Sequence, residues 1–441
     1  MTNIVSGLLK NKTRYLLINS KCSKSATIMF SVKVGSRDEK KGIRGISHFI
    51  EHMLFKGTHT RDSKAISDAL YKYGAEFNAY THYETTSYFV KIDSNHIIDA
   101  IDVLADMLYN SKLSTPDINV EKKVVISENK KNRSNPKSLV EILNICQIFK
   151  GTSYEVDTGG YDKDIHAVTR NSILKFMKSF YDPANIVITI VGNYKHSNTK
   201  MKQILNKYFG ATPTMGYINH PRIDKFLELP STFTYKHRVK KDVSQGFISI
   251  GFPAYNMNNK DRYSLEIIKT ILCGNMSSRL FIKLREKEGL VYNIRCAYDE
   301  FSNVGSFNII LGTFGDTKSI MKCISIILEE IQDIKTNPIN NKELNDAINY
   351  IVGNFKINDD SSDIAEFYSE LLLHKTGCIK RNKVTYTEET YLSNIKHVKS
   401  NNIIKAAKDL FLYNKCNICI LSKQSISKIN VSKVVKNILV K

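Results

Sequence analysis

Apolar residues along this chain change their spacing repeatedly, and the changes outline the fold. Dense runs rich in β-branched and aromatic residues, Ala26 to Val34, Thr85 to Ile92, Phe247 to Phe252 and Phe307 to Leu311, predict strands. Between them, apolar residues three and four apart predict helices, clearest over Ile97 to Leu108, Val120 to Glu128 and Ile320 to Ile334. Nothing suggests a doubly wound nucleotide fold, and the pattern predicts an α+β protein.

The chain also matches itself. Gly74-x-x-Phe77-Asn78 parallels Gly289-x-x-Tyr292-Asn293. Each is followed by a strand-like run, an apolar helix, a proline (Pro116, Pro338) and, five residues later, a glutamate (Glu121, Glu343). Two homologous domains are predicted, each a mostly antiparallel sheet packed with helices. Pro213, Gly216, Pro221 and Pro230 interrupt any regular pattern, so the expected division is 1–212, a linker at 213–232, and 233–441.

One stretch carries metal chemistry. In His48-Phe49-Ile50-Glu51-His52 two imidazoles stand four residues apart with a carboxylate between them. Gly45 and Ser47 sit where a helix would start, Phe49, Ile50, Met53 and Leu54 supply an apolar face, and Gly57 sits where a C-terminal cap belongs. Residues i and i+4 share a helix face, so His48 and His52 can reach one ion, and Glu51 stands beside it, able to take a proton from a bound water. This order of residues is the inverted-zincin signature. Two solvated histidines on an amphipathic helix would look the same in the pentapeptide alone, so a third ligand decides.

That ligand has a candidate in Glu128, 76 positions after His52, with Glu121 two turns earlier on the same helix face. The arrangement resembles the pitrilysin family of inverted-zincin peptidases, which includes insulin-degrading enzyme and the mitochondrial processing peptidase. By that resemblance Glu128 is the third zinc ligand and Glu121 an acid that supports the ligand shell. Met53-Leu54-Phe55-Lys56-Gly57-Thr58 looks like the family's continuation, and Gly74 to Thr81 with Glu84 and Tyr88 is similar to its substrate-binding strand. There Asn78 and Ala79 would align a peptide, since an unpaired strand edge offers N–H and C=O groups in register with an extended chain. Tyr181-Asp182-Pro183-Ala184-Asn185 and the run to Asn193 look like the family's closing helix, turn and strand, without chemistry of their own.

The second half has no histidine pair, and Tyr350 stands where the first has Glu128, so only the first domain is expected to hold metal. Arg285 and Tyr292, seven apart behind Ser277-Ser278-Arg279-Leu280-Phe281, resemble the family's arginine and tyrosine motif. A guanidinium and a phenol can hold a substrate carbonyl and stabilise the oxyanion formed on it. Family members of this length form half of a clamshell, with two chains closing around substrate and the arginine and tyrosine reaching the partner's zinc. The resemblance therefore implies a homodimer, with a heterodimer left open.

Composition changes this picture little. At 441 residues and 42% apolar the chain has room for proper cores, and no run of eighteen apolar residues exists to span a membrane. The opening residues lack a secretory apolar core, so a cytoplasmic location is the expectation. The eight cysteines are scattered and form no disulfide framework, and Cys416 and Cys419 fall on opposite faces of a strand-like run. A net charge of +21 divides about evenly between the halves without a basic tail, which speaks against nucleic acid as partner. His59, His82 and His96 read as structural or surface residues, because the ligand set is complete without them. The expectation is a zinc metalloendopeptidase with one Zn2+ per chain on His48, His52 and Glu128. Glu51 is its base, and Arg285 and Tyr292 are its oxyanion groups. The alternative is a non-catalytic relative serving as a structural or partner subunit.

Overall fold

The structure, a computed structural model, describes residues 3–20, 23–213, 229, 231–240, 243–357, 360–375, 377–380 and 383–440. It contains two compact units, one of residues 1–129, 156–223 and 358–386, the other of residues 130–155, 224–357 and 387–441. Most of the expected linker, 213–232, lies outside the described residues.

The first unit is built on strands β1 (Asn3–Leu8), β2 (Arg14–Asn19), β3 (Ser25–Val32), β4 (Glu76–Thr81), β5 (Thr86–Asp93) and β6 (Ile186–Gly192), in the order β1-β2-β6-β3-β5-β4. All neighbours are antiparallel except β2 and β6. Period-two alternation sends Ala26, Ile28, Phe30 and Val32 into the apolar core, joined there by helices α1 (Ile46–Leu54), α2 (Ser63–Tyr71) and α3 (Ile97–Asn110). Phe49, Ile50, Met53 and Leu54 of α1 are fully buried. Each such side chain contributes roughly 1.5–3 kcal/mol, which anchors the histidine-bearing helix on the sheet. The opposite face carries hydroxyls, covered by the helix Ser361–His374, with Thr27 paired to Ser361 at 2.7 Å and Thr189 to Ser369 at 2.8 Å.

The second unit has β7 (Thr234–Val239), β8 (Gln245–Ala254), β9 (Val291–Glu300) and β10 (Gly305–Phe314). After a two-residue ladder in the first unit, β11 (Ile379–Lys380) with β12 (Lys383–Val384), β13 (Asn417–Ser422) completes the sheet in the order β7-β13-β8-β10-β9. Only β13 and β7 are parallel. One face buries Ile248, Ile250, Phe252, Phe307, Ile309 and Leu311 in an apolar cluster with helices Arg262–Cys273 and Thr317–Thr336. The chain reaches the other face much earlier in its course. Helix α4 (Thr115–Ser134) leads into α5 (Pro136–Ile148), whose Leu139 and Val140 pack with Ile310, Cys419 and Leu421. Each sheet is thus covered by one helix distant in sequence from most of its strands, which no local periodicity could announce.

The predicted strands and helices are present, and the architecture is the expected α+β one of two mostly antiparallel sheets with helices. The repeated glycines have a shared job: Gly74 (φ 65°) and Gly289 (φ 59°) turn the chain in the left-handed region just before β4 and β9, the terminal strands of their sheets.

Two details differ from expectation. Helix α1 ends at Leu54 with Phe55 as its cap, and Gly57 (φ 132°) lies beyond it in a bridge to Asp62, so it turns the chain without capping the helix. Cys273, at the end of its helix, and Cys296, on β9, form a disulfide with Cα atoms 5.6 Å apart. The helix packs on β9 and brings together two cysteines that no spacing motif connects. Cys416 and Cys419 are free thiols in different apolar clusters, as opposite faces require.

Candidate metal centre

Helix α1 starts abruptly. Gly45 adopts φ 94°, and the buried Glu39 carboxylate accepts from the N–H groups of Gly45 (2.6 Å) and Ser47 (2.8 Å). A carboxyl group from outside the helix thereby satisfies donors that every helix leaves open at its first turn. Burial pushes the Glu39 carboxyl up to about 8, against the pull of those N–H groups and of Arg44. Between its unfolded value near 4.5 and about 8, the folded chain holds more protons than the unfolded one. This contribution is present below the window and lost as pH rises through it. Urea midpoints measured from pH 5 to 8.5 should show that fall in wild type and a shallower one in Glu39→Gln.

One turn on, His48 and His52 face the same way, their Nε2 atoms 3.2 Å apart. Glu128 on α4 brings Oε2 to 3.3 Å from His52 Nε2 and 3.9 Å from His48 Nε2. Among the described residues this is the one group of three side chains with ligand atoms converging for a metal, all within 4.8 Å of one another. Donors about 2.0–2.1 Å from a tetrahedral zinc ion lie about 3.3 Å apart, so two imidazoles and a carboxylate at these separations fit that ion.

The surroundings prepare the ligands unequally. Glu121, buried on α4, takes the other ring nitrogen of His52, with Oε1 2.8 Å from Nδ1. That contact places the ring proton on Nδ1 and leaves the Nε2 lone pair for the metal position. Lys56 holds the second oxygen of Glu121 at 2.6 Å. Burial works against the Glu121 anion, yet the hydrogen bonds from His52 and Lys56 outweigh it and keep its pKa below the usual range. Burial likewise disfavours the His52 cation, but Glu121, Glu51 and Glu128 together leave its pKa raised. His48 has no such support: its Nδ1 is buried without a hydrogen-bond partner, and burial and then the His52 charge push it down to about 4, in the neutral form a metal needs.

Glu51 lies buried beside the pair, and its Oε2 accepts a 2.5 Å hydrogen bond from the Thr81 hydroxyl at the end of β4. Burial raises its pKa, with the Thr81 hydrogen bond and His52 opposing. Asn78 and Ala79 lie on β4, which pairs with β5 on one side and ends the sheet on the other, so their backbone stands at an open edge. His82, just past the strand, faces Glu366 at 3.9 Å.

Arg285 and Tyr292 belong to the second unit. The Arg285 guanidinium stacks between two rings, 4.8 Å from the centroid of Phe281 and 5.0 Å from that of Tyr292. Tyr292 is 80% exposed on the terminal strand β9, a degree unusual for a ring of that size. Sequence reading passed over Glu39 and gave Lys56, Thr81 and Phe281 no role of their own. Lys56, Thr81 and Phe281 stand inside quoted motifs, but the contacts of Thr81, like those of Glu39, become visible only once the chain is folded.

Comparisons with known proteins identify the family to which the chain belongs. Residues 14–156 match the model of the insulinase family (peptidase family M16), and residues 167–351 match that of the peptidase M16 inactive domain. An uncharacterized zinc protease of Bacillus subtilis, YmxG, is 30% identical over 83% of this chain and 88% of its own length. A protease from Helicobacter pylori superposes with a TM-score of 0.85 at 21% identity, covering 96% of this chain and all of that one. An M16 inactive domain from Pseudomonas fluorescens gives 0.82 at 17% identity, covering 97% and 100%. With two stretches matched by the family's models, a relative 30% identical over most of both chains and the same fold in solved structures, this chain belongs to peptidase family M16, the pitrilysin-type family that its histidine pair resembles.

Proposed function

We propose that the chain is a zinc-dependent metalloendopeptidase acting on peptides or unfolded polypeptide segments. The observation that carries this reading is the convergence of His48, His52 and Glu128 with Glu51 buried beside them. The three ligands hold one zinc per chain, and the ion, when bound, supplies Lewis acidity to a water and to a peptide carbonyl. Glu51 takes the water proton and passes it to the leaving amine, a role suited to a carboxylate whose pKa burial raises toward the working range. The open edge of β4 pairs with the peptide backbone at Asn78 and Ala79, giving sequence-tolerant affinity. Arg285, with its guanidinium over the Phe281 and Tyr292 rings, and the exposed Tyr292 stabilise the oxyanion, supplied by a partner copy in a homodimer or by a different chain in a heterodimer. Among the described residues no helix is long and apolar enough to cross a membrane, and the proposed site of action is the cytoplasm.

Glu121 orients His52 without touching the ion. Its replacement in Glu121→Gln should weaken zinc binding by roughly 10–100-fold, read by competition with a fluorescent chelator, while the fold stays intact. The proposal as a whole is tested by incubating the protein with a quenched fluorescent peptide library. Cleavage lost to a chelator and restored by zinc supports it; absence of cleavage at full zinc occupancy, alone and with candidate partner chains, refutes it.

A further inference from the structure

Glu51 is a flexible side chain, and a general base must hold its geometry to within a fraction of an ångström. What fixes it comes from a different element. Strand β4 runs antiparallel to β5 from Glu76 opposite Lys91 to Thr81 opposite Thr86, and the His82 N–H closes the ladder on the Thr85 carbonyl at 2.8 Å. Alternation along β4 puts Phe77, Ala79 and Thr81 on one face. Phe77 and Ala79 pack against the apolar core there, and the Phe77 ring stacks 6.1 Å from that of Phe55, at the end of α1. The hydroxyl of Thr81, third in that row, meets Glu51 Oε2 at 2.5 Å. Thr81 is β-branched and stiff at χ1, and it stands at the end of a paired ladder, so the donor has little freedom to move away.

We propose that Thr81 is a positioning residue, whose hydroxyl fixes the Glu51 carboxylate so that the edge strand offered to the peptide also sets the base. The inference rests on the peptidase reading above and deepens it. It links alignment of the peptide to the chemistry: a shift of β4 that misaligns Asn78 and Ala79 also moves the anchor of Glu51. Affinity and turnover then depend on one strand through two separable contacts, backbone pairing for the first and the Thr81 hydroxyl for the second.

The test compares wild type, Thr81→Val, which keeps the shape and removes the hydroxyl, and Thr81→Ser, which keeps the hydroxyl. Two readouts are needed: kcat and KM on a cleaved peptide, and the visible absorption of the Co2+-substituted proteins, with Glu51→Gln as the reference for a disturbed base. In Thr81→Val, kcat should fall roughly 10–100-fold with KM within about twofold, as expected for one lost charge-assisted hydrogen bond at the reacting centre. Its cobalt spectrum should move toward that of Glu51→Gln, and Thr81→Ser should recover both. Unchanged kcat and spectrum in Thr81→Val, or failure of Thr81→Ser to recover them, overturns the role. If wild type cleaves no peptide, the peptidase reading fails on that ground. The spectra then decide Thr81 by themselves, a shift in the valine variant alone sustaining its hold on Glu51 and no shift removing it.

Discussion

Glu51→Gln is expected to keep its zinc and lose its turnover. Glutamine has the size of glutamate and can still accept from the Thr81 hydroxyl through its amide oxygen, so the local packing around α1 survives. It cannot take a proton. Loss of a positioned general base lowers kcat by roughly 10²–10⁴-fold, and that range applies here because no other carboxylate on α1 is placed to substitute. Peptide affinity, which the proposal assigns to the edge of β4, should change little. Metal content by elemental analysis, kcat and peptide binding measured on one preparation separate these effects. Loss of zinc together with activity would instead mark Glu51 as a structural support of the ligands.

Removing a ligand should have the opposite signature. In Glu128→Ala the two imidazoles stay 3.2 Å apart on α1, but the carboxylate that closes the set from α4 is gone. Zinc affinity should fall by more than the roughly 10–100-fold assigned to Glu121, since a direct donor is lost where Glu121 only orients one. Activity should fall with it and return only at high added zinc. Protons compete for the same nitrogens, so zinc binding in wild type should weaken as pH drops through the range where His52, its pKa raised by the surrounding carboxylates, takes up its proton. Chelator competition at pH 5.5 and 7.5 reads that trend, and the sign must be weaker binding at the lower pH.

Much of the site was legible because its parts follow helical spacing. His48 with His52, and Glu121 with Glu128, are each separated by whole turns, and a period of 3.6 residues places each pair on a face without knowledge of the rest. The repeat of Gly74-x-x-Phe77-Asn78 in Gly289-x-x-Tyr292-Asn293 was legible because it is local, and the structure gives both glycines the same left-handed turn before a terminal strand. What stayed hidden depends on long-range register. Glu39 reaches the start of α1 across a turn whose shape no period encodes, and Thr81 meets Glu51 only when β4 is laid against β5 beside α1. The covering helices α5 and Ser361–His374 show ordinary helical patterns, and their sequences say nothing of which sheet each will cover. The disulfide between Cys273 and Cys296 was invisible for the same cause, a helix end meeting a strand 23 residues away.

In the proposed function, catalysis depends on one zinc ion held by His48, His52 and Glu128. The deciding measurement titrates zinc into metal-free protein while following cleavage of a fluorescent peptide. Activity should rise in proportion to added zinc and level off at one equivalent per chain. Cleavage by the metal-free protein, or none with one equivalent bound and every candidate partner present, would contradict it.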